Sequence, residues 1–105
     1  MRRTLVLARG DGAVRLADTV AAGRTIDYVL PLLSPARPQP DGERAWIVAS
    51  GGQRLRIIAD APLSGSLAEV ELDGTLRRSW GSLWRLTLRG RLADGAAAGV
   101  AFLPA

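Results

Sequence analysis

The chain has 105 residues, of which 48% are hydrophobic, so it is too apolar for a disordered polypeptide. Its net charge is +4, and all 14 basic side chains are arginine because lysine and histidine are absent. Cysteine is absent as well, which excludes disulfides and thiolate metal sites. Because histidine, cysteine and lysine are all missing, the enzyme chemistry that usually depends on these side chains is excluded too.

Short alternating runs separated by Asp-Gly and Gly-Gly steps predict an all-β fold. Residues 3–9 and 13–17 are predicted strands on either side of a turn at Gly10-Asp11-Gly12. Asp18 to Gly23 resembles a single helical turn, with Asp18 as its N-cap. Residues 24–33 fit both helical and strand spacing, and Pro31 favours an edge strand because it cannot donate to a central ladder.

The middle of the chain predicts a loop followed by a hairpin. Residues 34–42 hold three prolines and are typical of an extended, exposed connection. Gly51-Gly52 then predicts a two-residue turn inside a hairpin over residues 43–59. That turn pairs Trp46 with Ile57 and Val48 with Leu55 on one mostly apolar face.

The last third predicts further strands. Residues 66–72 alternate, with Glu69 and Glu71 on one face together with Asp73. Residues 75–80 are a short strand or a hairpin tip, residues 83–92 are the longest strand, and residues 99–103 close the fold. The sequence therefore predicts one domain over residues 1–105, a small antiparallel β-barrel or β-sandwich of about seven to eight short strands.

An arginine stripe is the sharpest candidate for binding. Arg85, Arg89 and Arg91 share one face of the longest strand, while Trp84 alternates onto the other face. Basic side chains interleaved with aromatics are typical of single-stranded nucleic-acid binders, for which an OB-type barrel would be a natural host. The competing interpretation, which we favour, is that Glu69, Glu71 and Asp73 pair with these arginines across the sheet.

A second candidate lies at the predicted 77–82 tip. Arg77 and Arg78 precede Trp80, and a tryptophan beside arginines is typical of interface anchors. Trp80 could equally fold back and cover one end of the domain. The Pro-rich loop at 34–42 is a further possible docking segment.

The sequence predicts neither catalysis nor a cofactor. Carboxylates remain as possible acid–base groups, and Glu69 with Glu71 is the best-placed pair, but a solvated strand face explains them more simply. No metal is expected. The N-terminal apolar run is too short for a signal peptide, and no stretch approaches the length of a membrane span, so we expect a cytoplasmic protein.

Together these features predict a non-enzymatic binding or assembly module that acts through sheet edges and loop tips. Self-association is expected because several strands carry apolar residues on both faces: Ile47 and Ile58 lie opposite Trp46, and Val29 and Leu33 lie opposite Tyr28. The alternative is a single-stranded nucleic-acid-binding domain. The predicted binding residues are Arg77, Arg78, Trp80, Arg85, Arg89 and Arg91.

Overall fold

The computed structural model describes residues 2–7, 12–21, 23–61 and 63–105, without the side chains of Arg2, residues 4–7, Arg77 and Trp80. The strands within this part of the chain are β1 (Arg2–Leu7), β2 (Val14–Thr19), β3 (Ile26–Ser34), β4 (Gln39–Pro40), β5 (Ala45–Ser50), β6 (Gln53–Ala59), β7 (Ser64–Glu69), β8 (Trp84–Leu92) and β9 (Ala97–Pro104). A short helix, α1, spans Gly74–Trp80.

The strands form two antiparallel sheets. Sheet A is six-stranded, in the order β1-β2-β9-β6-β5-β4, and sheet B is three-stranded, in the order β3-β8-β7. The two sheets are not closed into a barrel, so the all-β prediction is confirmed and the sandwich is the observed alternative. The described residues form nine strands, one more than the seven to eight predicted, and the additional strand is β4, which is only two residues long.

The hairpin of β5 and β6 has the predicted register. Trp46 pairs with Ile57, Val48 with Leu55 and Ser50 with Gln53. Gly51 and Gly52 have φ angles of 59° and 79°, the left-handed values that a two-residue primed turn requires at both positions.

The core lies between the facing sides of the two sheets. Sheet A contributes Trp46, Ile57 and Val100, and sheet B contributes Leu86 and Leu88, all of them buried. Full burial of a leucine or valine side chain stabilises the fold by about 1.5–3 kcal/mol. The predicted inward face of the longest strand is therefore confirmed.

Two glycines allow the backbone to approach its neighbours closely. A Cβ at Gly99 of β9 would collide with the backbone of Leu16 and would lie 2.8 Å from Cα of Ala17, both in β2. A Cβ at Gly65 of β7 would collide with the indole of Trp46 across the core. These two positions fix how β2 meets β9 and how sheet B meets sheet A.

The helical turn predicted for 18–23 is wrong, and so is the short strand allowed for 75–80. The alternative of a hairpin tip holds, because residues 70–83 connect the paired strands β7 and β8. Asp18 belongs to β2 and is fully buried, so it does not cap a helical turn. Residues 74–80 instead form α1, because Oδ1 of Asp73 accepts from the backbone N–H groups of Thr75 (3.1 Å) and Leu76 (2.9 Å). Gly81, with a φ angle of 73°, follows the last helical residue as left-handed glycines commonly do.

The Pro-rich segment crosses from sheet B to sheet A. It leaves β3 at Ser34 and joins β4, which pairs with β5 through Gln39 opposite Ile47. Pro38 is fully buried, so the segment is not the wholly exposed loop that composition predicted. The hydroxyl of Ser82 donates to the carbonyl oxygen of Pro35 at 2.9 Å. This hydrogen bond connects the Pro-rich segment to the residues that follow α1.

Candidate binding face

The outer side of sheet B carries the strongest candidate surface, here called the outer face. It comprises Asp27, Val29, Pro31 and Leu33 of β3 with Arg85, Thr87, Arg89 and Arg91 of β8. In the β3–β8 register, Val29 lies opposite Arg89 and Leu33 lies opposite Arg85. Apolar side chains on one strand therefore stand directly beside guanidinium groups on the next.

Two large apolar side chains on this face are in contact with solvent. Val29 is 50% exposed and Leu33 is 62% exposed. Pro31 lies between them on the same side. It is in β3, an edge strand of sheet B, where a proline is tolerated although it has no N–H to donate to a neighbouring strand. The predicted edge strand is therefore confirmed, and so is the expectation that Val29 and Leu33 oppose the buried Tyr28.

The arginine stripe is confirmed as a face, but its predicted carboxylate partners are wrong. Glu69 lies opposite Trp84 in the β7–β8 register, not beside an arginine, and β7 ends there, before Glu71. Ala68 is the residue opposite Arg85. The prediction failed because β7 places Leu67, not Ala68, toward the core. Glu69 therefore lies on the side of the strand opposite the arginines, and β7 ends at that residue.

One of the three arginines has an acidic partner. Nε of Arg91 lies 3.4 Å from Oδ1 of Asp27, and both side chains are largely exposed. Arg85 and Arg89 make no ion pair with any side chain that the structure describes. Two unneutralised cations thus stand among the apolar residues of the outer face.

The aromatic side chains described in the structure point away from this face. Tyr28 and Trp46 are buried in the core, and Trp84 is half-buried on the inner side of β8. The guanidinium carbon of Arg37 lies 5.0 Å from the centroid of the Trp84 ring, a cation–π contact that attaches the Pro-rich segment to β8. Arg37 was not singled out by sequence, because the contact joins residues that are far apart along the chain.

The predicted 77–82 tip lies beyond the paired part of the β7–β8 hairpin. The N–H of Val70 donates to the carbonyl of Leu83 at 2.8 Å, so the chain leaves the β7–β8 hairpin only beyond these residues. Arg78 is exposed on α1, and its Nε donates to the carbonyl oxygen of Gly74 at 3.1 Å. Arg77 and Trp80 belong to α1, but their side chains lie outside the described part, so their predicted role stays a prediction.

A polar cluster joins sheet A to the sheet that carries this face. It consists of the buried Asp18 and Tyr28 and the partly exposed Arg3. Nε and Nη2 of Arg3 in β1 donate to the two carboxylate oxygens of Asp18 in β2, at 2.7 and 2.9 Å. The hydroxyl of Tyr28 in β3 donates to Oδ2 of the same carboxylate. Asp18 therefore links the two strands at one edge of sheet A to the edge strand of sheet B.

The cluster shifts the ionisation of all three groups. The Arg3 hydrogen bonds lower the pKa of Asp18 below its ordinary value, against the opposing effect of burial. Burial, and then the hydrogen bond to Asp18, raise the pKa of Tyr28 to about 12. The carboxylate is thus charged and the phenol neutral at physiological pH, which is the arrangement that the hydrogen bonds require.

The structure does not align Glu69 and Glu71 on one strand face, as the predicted carboxylate pair would require. Glu69 ends β7 and Glu71 follows it in an exposed, irregular segment, so the strand that was to align them is not formed. Among the described residues no three acidic side chains group as metal ligands would.

Comparisons with known proteins add no identity. No protein-family model matches the chain, and no curated protein matches its sequence. In the described residues there is no helix long and apolar enough to cross a membrane.

Proposed function

We propose that this protein is a non-enzymatic binding and assembly module that associates with a second copy through the outer face. The exposure of Val29 and Leu33 on a regular, three-stranded sheet is the observation that carries this proposal. Apolar side chains that a monomer leaves in water beside one another mark interaction surfaces. The absence of histidine, lysine and cysteine from the sequence supports a role without catalysis.

The composition of the outer face suits an interface. Arginine is enriched at protein–protein interfaces, and its aliphatic stem can pack beside Val29 and Leu33 while its guanidinium reaches a carboxylate. Arg85 and Arg89 have no ion pair among the described side chains, so they are the arginines that could pair with carboxylates of a partner.

A second copy offers a complementary charge pattern. Asp27 stands at one end of β3, and the Leu33–Arg85 pair stands at the other. If two outer faces meet with their strands antiparallel, Asp27 of one copy approaches Arg85 of the other. Such an isologous contact is closed, so the expected product is a dimer rather than a fibre.

Sedimentation velocity over a range of protein concentrations tests the proposal. We expect the wild type to shift from monomer to dimer, and the double variant Val29→Ser with Leu33→Ser to stay monomeric because it loses the apolar contact. The matched control is Leu76→Ser, which changes a 46% exposed leucine on α1 that is not one of the residues of the outer face. A wild type that stays monomeric at the highest concentration would refute self-association.

Nucleic-acid binding is the second candidate, and the shared face of Arg85, Arg89 and Arg91 is the observation that favours it. Two features speak against this function. The sheets do not form an OB-type barrel, and none of the described aromatic side chains lies on the arginine face, where bases could stack. A labelled single-stranded oligonucleotide titrated at low salt tests it by fluorescence anisotropy. Binding that vanishes in Arg85→Gln with Arg89→Gln would support this function in place of assembly.

A further inference from the structure

The edge of sheet B at β7 is open. β7 is the last strand in the order β3-β8-β7, and no described strand pairs with its other side. The N–H of Val70 donates to the carbonyl of Leu83, so Val70 and every second residue before it in β7 direct their backbone polar groups toward β8. The alternate residues Gly65, Leu67 and Glu69 therefore direct theirs away from the sheet, and they have no backbone partner there in the described part of the chain.

β7 is the least protected of the four edge strands. β1 begins with two arginines, β3 contains Pro31, and β4 is only two residues long, one of them Pro40. Charged side chains, proline and short length are the ordinary ways in which a protein prevents pairing at a sheet edge. β7 is six residues long, contains no proline and has its one charged residue, Glu69, at the end. Its residues are exposed except for the half-buried Leu67, so the edge is accessible to an added strand.

The outer side of β7 is a row of small side chains beside two arginines that have no acidic partner among the described residues. Ser64 lies opposite Arg89 and Ala68 lies opposite Arg85, with Ser66 between them. Neighbouring strands are about 4.8 Å apart, so a strand added to β7 lies roughly 10 Å from the backbone of β8. A glutamate on the outer side of the added strand and an arginine of β8 together span this distance above the small side chains. The edge therefore has charge complementarity for an acidic strand.

The inner side of the same edge is apolar beside β7. Leu67 is directed toward the core, and Gly65 allows the indole of Trp46 to lie directly beneath the backbone of β7. An apolar side chain on the inner side of an added strand packs beside Leu67, as cross-strand neighbours do. A segment that alternates acidic and apolar residues thus matches both sides of the edge.

We propose that the open edge of β7 binds an extended, acidic segment of another protein as a fourth strand of sheet B. The backbone of the segment pairs with Gly65, Leu67 and Glu69, and its carboxylates pair with Arg85 and Arg89. A second copy of this chain does not supply such a segment, because none of the described strands contains more than one acidic residue. The inference rests on the binding role proposed above and names the partner, but it does not depend on self-association.

Amide hydrogen exchange measured by NMR tests the edge residue by residue. The probe is a hexapeptide of three glutamate–valine repeats with blocked termini. In the free protein we expect fast exchange at Gly65, Leu67 and Glu69, and slow exchange at Ser66 and Ala68, whose N–H groups face β8. Peptide at about ten times its dissociation constant should slow exchange at the first three amides about tenfold.

Two altered peptides separate backbone pairing from charge. N-methylation of the three valines removes the N–H groups that face β7 when the glutamates point outward, and it should abolish binding. A peptide of three lysine–valine repeats keeps the backbone and the apolar side chains but reverses the charge. It should bind at least about tenfold more weakly, because its ammonium groups meet Arg85 and Arg89.

The contribution of the arginines is measured on the protein. Arg85→Gln with Arg89→Gln should weaken binding of the glutamate–valine peptide about three- to tenfold, as expected for two exposed ion pairs. Arg24→Gln with Arg54→Gln removes the same charge from two exposed positions outside sheet B and is the matched control. It should bind the peptide nearly as the wild type does.

Three results would overturn the proposal. These are unchanged exchange at Gly65, Leu67 and Glu69, equal binding of the glutamate and lysine peptides, and undiminished binding of the N-methylated peptide. Protection of the same amides that rises with protein concentration in the absence of peptide would also overturn it, in favour of a second copy at the edge.

The same titration distinguishes this edge from the contact proposed for self-association. The variant Val29→Ser with Leu33→Ser changes β3, at the other edge of sheet B, and should still bind the glutamate–valine peptide. Peptide binding by a protein that stays monomeric would refute self-association alone, and a dimer that does not bind the peptide would refute this edge alone.

Discussion

At the scale of single residues, one buried carboxylate decides how the edges of the two sheets meet. Asp18 is fully buried, and its three described side-chain hydrogen bonds come from Arg3 and Tyr28. The sequence predicted Asp18 at a helix N-terminus, because an aspartate with a glycine five residues later fits the two ends of a single helical turn. Its partners are 15 and 10 residues away, and no local pattern reveals such a cluster.

Removal of the arginine should cost more than neutralisation of the carboxylate. Arg3→Leu leaves a buried charge with only Tyr28 as its donor, so we expect the free energy of unfolding to fall by about 3 kcal/mol. Asp18→Asn should cost about 2 kcal/mol, since no buried charge remains. The double variant should be no less stable than Arg3→Leu alone, because it removes the buried charge that Arg3→Leu leaves without its partner.

Urea denaturation of the two single variants and the double variant measures these differences. Arg15→Leu is the control, because Arg15 makes a comparable but exposed pair with Asp60 and should cost less than about 1 kcal/mol. Equal stability of wild type and Arg3→Leu would contradict the assigned role of the cluster.

The same cluster predicts how stability depends on pH at both extremes. The pKa of Tyr28 is raised to about 12, so its contribution is complete below the ordinary value near 10 and is lost as pH rises through 12. The pKa of Asp18 is lowered, so its contribution is complete above about pH 4 and is lost as pH falls through the folded-state value.

Tyrosinate absorbance reports the alkaline limb directly, because Tyr28 is the chain's single tyrosine. We expect its titration midpoint near 12 in the folded protein, together with loss of folded structure. In Asp18→Asn, which removes the carboxylate hydrogen bond, the midpoint should move toward 10. A folded-state midpoint near 10 in the wild type would show that the phenol is not held as described.

At the scale of elements, local chemistry predicted some strands well and others poorly. The β5–β6 hairpin was predictable in register because Gly51-Gly52 permits one tight turn and the apolar alternation on both strands agrees with it. The helix α1 was missed, although Asp73 before it and Gly81 after it are ordinary capping residues, since alternation was expected to continue through a segment too short to show a helical period. The first and last residues of β7 are set by its pairing with β8, and the segment that contains α1 separates these two strands in the sequence. Local sequence alone therefore did not predict them.

The β2–β9 junction predicts a strict glycine requirement. Gly99→Ala should destabilise the protein by about 3 kcal/mol, because the new methyl group collides with the backbone of Leu16, which cannot rotate away as a side chain could. The control is Gly74→Ala at the start of α1, where a Cβ meets nothing within 4 Å and φ is not positive. Thermal and urea denaturation of both variants measure the difference, and equal stabilities would contradict the close approach.

At the scale of the whole molecule, the sequence predicts which residues of a strand share a face, but not which residues of the neighbouring strand lie beside them. The alternation along β8 placed the arginines on one face, and that placement is confirmed. Which strand lies beside them is a matter of long-range pairing, and the structure puts Val29 and Leu33 there in place of acidic residues. The outer face is therefore apolar and cationic, whereas the local pattern suggested a neutralised, solvated sheet.

This arrangement predicts a specific effect of the one carboxylate on the outer face. Asp27→Asn should weaken dimerisation about two- to fivefold, because it removes the group expected to approach Arg85 of the other copy. Folding should be unaffected, since the pair that Asp27 makes with Arg91 is largely exposed. Sedimentation equilibrium gives the dissociation constant, with Glu43→Gln, which neutralises a largely exposed glutamate just before β5 of sheet A, as the control.

The most direct test of the account is an isotope-filtered nuclear Overhauser experiment on a mixture of labelled and unlabelled chains. It detects protons of one copy that lie close to methyl groups of another. We expect intermolecular contacts at the methyl groups of Val29 and Leu33, and their loss in the Val29→Ser, Leu33→Ser variant. Contacts confined to other surfaces, or none at concentrations where the outer face should be occupied, would contradict it.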